Sequence, residues 1–180
     1  MKFWTVLADA IAGWLLIARD QPGWRERFTF SAAGLVTALA IFAFVAFLAV
    51  ALSSMSFGMP SAVGVAAAMF VLALPITALV VTLLGTRMLL KSEEPMLPVL
   101  VPGLYALTAF LLAEGFLAMI GGPVVMLAWL GLGYLLFRLV RVATPWNVGV
   151  VAAFAVLTVV LLVAMRLALY MLSTPAGSPI

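Results

Sequence analysis

The chain has 180 residues and a formal net charge of +3, with 67% hydrophobic and 8% charged residues. Soluble domains carry roughly 25% charged and about 45–50% apolar residues, so a chain this apolar could not cover its surface with polar groups. Together with a mean hydropathy of +1.34, this composition excludes a soluble protein and predicts a single membrane domain. The basic residues are not gathered on one exposed face, which excludes nucleic acid as a partner.

The first predicted element is a helix over residues 3–18. Its apolar residues recur at helical spacing, while small or polar residues line the opposite face. The apolar set is Trp4, Leu7, Ile11, Trp14 and Ala18, with Leu15 beside it, and the opposite set is Thr5, Asp9 and Gly13. This pattern is typical of an amphipathic helix at the cytoplasmic membrane interface. Docking of the same helix on the membrane-spanning bundle is the alternative, and the two can hold together.

Residues 1–30 form the cytoplasmic-side unit of the predicted organisation. Asp9 interrupts the apolar region that follows Lys2, so we expect this segment to be retained rather than cleaved as a signal peptide. Pro22 and Gly23 end the helix and turn the chain toward the membrane. Indole rings and arginine side chains favour the headgroup level of a membrane. The predicted interfacial anchors are Trp4, Trp14, Trp24, Arg25 and Arg27.

Five later segments are long and apolar enough to cross a membrane, which takes about 20 residues. They cover residues 31–53, 61–86, 97–120, 122–141 and 146–172. The Gly-Gly-Pro sequence at 121–123 separates the third segment from the fourth, because it stops a helix and reverses the chain. The predicted fold is therefore an all-α, polytopic bundle of five transmembrane helices preceded by an interfacial amphipathic helix.

The basic residues predict the orientation of this bundle. Eight of the nine lie on one side of the five-span arrangement, and the positive-inside rule makes that side cytoplasmic. The N-terminus is then inside, residues 31–172 form the bundle, and residues 173–180 form a short tail outside. The preference for arginine over lysine and the abundance of Ala, Val and Leu favour a bacterial inner membrane.

One carboxylate, Glu114, lies inside the third span, within the sequence FLLAEGFLAM. At 1.5 Å per residue, it lies roughly 9 Å below the outer end of that span. Arg166, the only charge of the fifth span, lies at nearly the same depth, because both spans run outward. A lone charge costs roughly 2.5–3.5 kcal/mol near the membrane centre, so we predict an ion pair. Tyr170, one turn beyond Arg166, is placed to donate to Glu114 or to stack on the guanidinium.

The sequence leaves alternatives open for these residues. In one, Arg166 reaches the headgroups unaided, and Glu114 is protonated and bonded to a backbone carbonyl or a threonine. In another, Glu114 titrates during transport. Pro75, in the middle of the second span, removes one backbone hydrogen bond and is a candidate helix kink. Such a break either lines a solute path or shapes the packing, and we favour packing.

The sequence contains neither cysteine nor histidine. This excludes disulfides, thiolate chemistry and histidine-ligated metal or haem, and it removes the commonest general base. We therefore expect no enzyme activity, no catalytic, cofactor-binding or metal-binding residues, and no cofactor. The predicted function is that of an accessory, assembly or scaffold protein, whose partners are membrane lipids, other membrane subunits or a second copy. A small oligomeric transporter, channel or lipid-handling protein that uses Glu114 is the alternative.

Overall fold

The computed structural model describes residues 3–57 and 61–173, and within them the protein is all-α. The α-helices are α1 Phe3–Ala18, α2 Ala32–Phe57, α3 Ala62–Leu90, α4 Leu97–Ile120, α5 Met126–Ala143 and α6 Val148–Ser173. Short 3₁₀ helices, Trp24–Arg27 and Gly122–Val125, precede α2 and α5. Helices α2 to α6 supply five spans long and apolar enough to cross a membrane, which confirms the predicted fold class. Most of the predicted outer tail, residues 174–180, lies outside the described residues.

The C-terminal end of α3 extends further than predicted. The helix continues to Leu90, four residues past the expected boundary, so Arg87 lies on a helix and not in a loop. Residues 88–90 are apolar, and nothing in their side chains opposes helix continuation. Lys91 then ends the helix in the left-handed conformation, with φ of 49° and its N–H bonded to the carbonyls of Arg87 and Met88.

The reversal between α4 and α5 rests on two glycines. Gly121 and Gly122 have φ values of 81° and 67°, a region that side chains disfavour. The chain then makes a 3₁₀ turn, so α5 begins at Met126, four residues later than predicted. The predicted division into two spans at this point is present, with a shorter second helix.

Four of the spanning helices form a ring. Helices α3 and α5 each pack against both α4 and α6, so α4 and α6 stand at opposite corners. Helix α2 packs outside this ring, against α4 and α3, while α1 packs against α5 and α4. Helix α4 is therefore central, and its residues 98–111 are the most densely buried stretch of the bundle.

The two ends of the bundle differ in charge. The basic end is the one that holds α1, the α3–α4 connection and the α5–α6 connection, and the far end is the opposite one. Every charged residue in the described part of the chain lies at the basic end, apart from Glu114 and Arg166. The far half of the bundle thus contains one anion and one cation, and both lie on spanning helices.

Buried side chains concentrate in the half of the bundle nearest the basic end. In α3, α4 and α6 they fall within residues 74–83, 98–111 and 151–162, respectively, whereas in α5 they run the length of the helix. Toward the far end, large apolar residues such as Phe70 and Phe116 point outward. Lipid tails are as apolar as these side chains, so no hydrophobic force draws the far half of the bundle together.

The linker between α1 and α2 returns the chain to the bundle. The Ser31 hydroxyl caps α2 by accepting a hydrogen bond from the N–H of Gly34 at 3.2 Å. Gly34 also lies directly against Thr29, since a Cβ on Gly34 would stand 1.9 Å from the Thr29 carbonyl oxygen. A side chain at position 34 would therefore separate the linker from the first turn of α2.

Candidate functional site

The two intramembrane charges form a bidentate ion pair. Nη1 of Arg166 donates to Oε1 of Glu114 at 2.5 Å, and Nη2 donates to Oε2 at 3.0 Å. The side chains are 23% and 17% exposed, respectively, so the pair is largely shielded. Paired N–H···O bonds of this kind combine charge with a fixed geometry, and they are among the stronger polar contacts in proteins. Arg166 and Glu114 therefore satisfy each other within the span.

The pair reaches across the bundle ring rather than between adjacent helices. Helices α4 and α6 run in the same direction, and each charge lies six residues from the far end of its span. Helices α3 and α5 lie on either side of the line between α4 and α6. The long side chains of Arg166 and Glu114 bridge this separation, and they link the two corners where the far half is loosely packed.

Two aromatic rings complete the surroundings of the guanidinium. Its central carbon lies 4.9 Å from the centroid of Trp129 on α5 and 5.8 Å from that of Phe110 on α4. The two rings meet edge to face, with centroids 5.2 Å apart. Cation–π contacts contribute about 0.5–2 kcal/mol each, more when desolvated. Sequence reasoning missed both rings, because neither residue carries a charge or a distinctive spacing relative to Arg166.

Tyr170 lies beside Arg166 on the membrane-facing side of the bundle. Its ring lines the same groove as Arg166, between α5 and α6, and is largely exposed. The predicted bond of Tyr170 to Glu114, or its stacking on the guanidinium, stays a prediction.

A second polar cluster joins α1 to α5 at the basic end. Nη2 of Arg138, on α5, donates to the carbonyls of Ile17 and Ala18 at 3.1 and 3.0 Å, at the C-terminal end of α1. In return, Arg25 from the linker donates to the carbonyl of Ala143 at 3.3 Å, at the C-terminal end of α5. Arg138 thus meets the negative end of the α1 dipole, and Arg25 meets that of α5. Sequence reasoning used Arg138 only as an orientation signal.

The predicted interfacial anchors divide into protein contacts and exposed side chains. Trp24 is only 6% exposed and packs edge to face on Phe28 and Phe30 of the same linker. Phe28 in turn contacts Tyr105 of α4, with ring centroids 5.9 Å apart. The Trp14 indole N–H donates to the carbonyl of Pro102 at 3.2 Å, which ties α1 to α4. Trp4, by contrast, is 76% exposed.

The two predicted arginine anchors also contact protein. Arg25 lies over the ring of Trp24, 5.3 Å from its centroid, in addition to its bond to α5. Arg27 pairs with Asp9 on α1 at 3.4 Å, with both side chains about half exposed. A surface pair of this length contributes about 0–1 kcal/mol. These arginines hold the linker in place, which sequence periodicity did not indicate.

Helix α1 docks through a face that differs from the predicted apolar face. Ala10 and Ile17 are buried, and Gly13, assigned to the polar side, lies against the ring of Phe28. Exposed apolar residues form a separate stripe on the other side of the helix, which consists of Trp4, Ile11 and Leu15. Small residues on the docking face permit close approach of the linker, and periodicity alone cannot distinguish a protein-facing stripe from a lipid-facing one.

Pro75 is buried within α3, and the helix continues through it. It lies near the middle of the helix, among the buried residues at positions 74–83.

Within the described residues, no three acidic, histidine or cysteine side chains come together as a metal site would require.

No protein-family model matches the chain, and neither does any curated protein or solved structure. The structure itself shows a polytopic membrane protein that has five helices able to span the bilayer and one shielded ion pair within them.

Proposed function

We propose that this protein is a non-catalytic accessory, assembly or scaffold component of a bacterial inner membrane. The bidentate pair of Glu114 and Arg166 is the observation that supports this proposal most directly. A transport residue must release its partner to bind an ion or proton, whereas these two groups are shielded and mutually bonded. The short connections between helices also leave little surface for an active site outside the membrane.

The proposed orientation has the N-terminus and the basic end in the cytoplasm. The positive-inside rule supports it, because eight of nine basic residues lie on that side of the five-span arrangement. In this orientation the exposed stripe of Trp4, Ile11 and Leu15 lies at the height of the inner headgroups, where an apolar stripe is favourable. Because the chain has no cysteine, single cysteines at Ser92 and at the exposed Pro123 can be tested with a membrane-impermeant thiol reagent. Labelling of Pro123→Cys and protection of Ser92→Cys in intact cells is the expected result, and the reverse pattern contradicts the orientation.

The accessory role is tested by purification of the tagged full chain in a mild detergent after cross-linking in the membrane. We expect a second membrane protein to co-purify at constant stoichiometry. It should be lost when the cross-linker is omitted and the detergent is harsh. Repeated recovery of the chain alone, as a single well-behaved particle, would contradict the proposal. The tag placed on an unrelated five-span protein is the matched control for non-specific capture.

A lipid-handling or transport role is the second candidate, because Arg166 borders a groove that opens toward the membrane. Its test is a liposome assay of proton flux, ion flux and lipid scrambling, with the Glu114→Gln variant in parallel. Movement that depends on Glu114 would support this role over the accessory one. Equal, background rates for both proteins would exclude it.

A further inference from the structure

A groove of about 650 Å³ lies between α5 and α6 in the far half of the bundle. It is lined on α5 by Met126, Trp129 and Leu130, and on α6 by Val159, Val163, Arg166, Leu167 and Tyr170. Both helices are long and apolar enough to span the membrane, so this groove opens onto lipid rather than water. The groove differs from a typical small-molecule pocket, because it is shallow and apolar for most of its length.

The groove is polar at one end only. Along α6 its wall begins with Val159 and Val163, near mid-membrane, and ends with Arg166 and Tyr170 toward the far end. Eleven residues separate Val159 from Tyr170, a rise of roughly 16 Å. A phospholipid in the far leaflet changes from apolar to polar in the same direction, because its acyl chain lies toward mid-membrane and its ester and phosphate oxygens lie toward the far surface.

Arg166 can donate into the groove without leaving Glu114. A guanidinium has five N–H donors, of which the ion pair uses two. Nε is buried without a partner among the described residues, which leaves one further N–H on each of Nη1 and Nη2. The side chain is partly exposed and forms part of the groove wall. Because Glu114 neutralises its charge, Arg166 would recognise an ester or phosphate oxygen by a hydrogen bond and would not select for net lipid charge.

We propose that the groove holds one membrane phospholipid, with an acyl chain against Val159 and Val163 and its ester or phosphate oxygens bonded to Arg166. This binding site is independent of the accessory role proposed above. A transmembrane helix from another copy or subunit is the competing occupant, but it would have to present an acceptor at the depth of Arg166, since its own backbone acceptors are already used within the helix. A phospholipid carries hydrogen-bond acceptors, its ester and phosphate oxygens, at that depth.

The first test is native mass spectrometry of the full chain, purified in a mild detergent and washed to remove loosely bound lipid. We expect one phospholipid per chain. Val163→Trp fills the groove and should reduce the retained lipid at least tenfold. Ala164→Trp is the matched control: it lies at the same depth, is exposed, and projects about 100° around the helix from position 163, so lipid should be retained. Circular dichroism melting shows whether both variants fold.

A second measurement uses the tryptophan that already lines the groove, Trp129, and adds no bulk. The protein is reconstituted in liposomes of brominated phospholipid and then extracted into detergent, and the Trp129 emission is obtained as the difference between wild type and Trp129→Phe. Quenching of the Trp129 emission should persist after extraction, whereas quenching of the remaining tryptophans should disappear. The proposal is overturned if the wild-type chain retains no lipid, if Val163→Trp retains as much as wild type, if Trp129 loses its quenching together with the other tryptophans, or if a second polypeptide occupies the groove instead.

Discussion

Breaking the Glu114–Arg166 pair tests whether it acts as a structural link. Glu114→Gln leaves the Arg166 guanidinium without its counter-ion, and Arg166→Gln leaves the carboxylate without its donors. In either variant a charge stays in a largely shielded position, bordered on one side by the Trp129 and Phe110 rings. The double variant removes both charges and keeps two amides that can bond to each other.

The size of the effect follows from depth and shielding. A charge at the centre of a spanning helix costs roughly 2.5–3.5 kcal/mol, and this one lies about 9 Å from the far end of its span. We therefore expect each single substitution to lower the free energy of unfolding by about 2–3 kcal/mol, below the roughly 3–5 kcal/mol of a fully buried pair because both side chains keep some exposure. The double variant should lose no more than either single variant, which corresponds to a coupling energy of at least about 2 kcal/mol.

The assay is reversible unfolding in mixed micelles of a mild detergent and dodecyl sulfate, followed by circular dichroism. Arg141→Gln removes an exposed arginine of α5 at the basic end and is the control for a change in net charge. Additive losses in the double variant, or a gain in stability from Glu114→Gln alone, would refute the pairing. Glu114 would then be an uncompensated carboxylate, and the flux assay would decide its role.

Three further substitutions test the docking of the N-terminal segment. Gly34→Ala should destabilise the protein by about 1–3 kcal/mol, because the added Cβ would overlap a backbone oxygen of the linker. Gly131 has open space around it, so Gly131→Ala should leave the thermal midpoint unchanged or raise it. Arg138→Gln should speed amide hydrogen exchange over α1, because the loss of its two bonds to carbonyls costs about 1–2 kcal/mol. Equal exchange rates in this variant and in Arg141→Gln would contradict the capping role. Trp14→Phe should cost about 1 kcal/mol through the lost bond to α4, measured by the same unfolding assay.

The positions of the spanning helices were predictable because span length and apolar composition are set locally. Each span must cover the hydrocarbon thickness, so about 20 apolar residues identify it whatever its neighbours are. The equal depth of Glu114 and Arg166 was predictable for the same reason, since rise per residue fixes depth. The structure brings these two side chains together at hydrogen-bonding distance.

Rotation of each helix about its own axis was not predictable from the sequence. Helices that are apolar on every side give no periodic signal for the face that meets protein, so nothing marked Trp129 as a neighbour of Arg166. Similarly, the docking face of α1 contains Ala10 and Gly13, whose small size matters only once Phe28 is in place. Such contacts depend on tertiary packing, which cannot be derived from the composition of one sequence.

The cap on α1 also sets an order of events during synthesis. Arg138 follows its acceptor Ile17 by 121 positions along the chain. At elongation rates of about 5–20 residues per second, α1 leaves the ribosome roughly 6–24 s before the arginine that completes its docking. Throughout that interval the stripe of Trp4, Ile11 and Leu15 can hold the newly made helix on the membrane surface. Helix α1 is therefore made well before the α5 residue that completes its docking, and it reaches its final contacts only after α5 has been made.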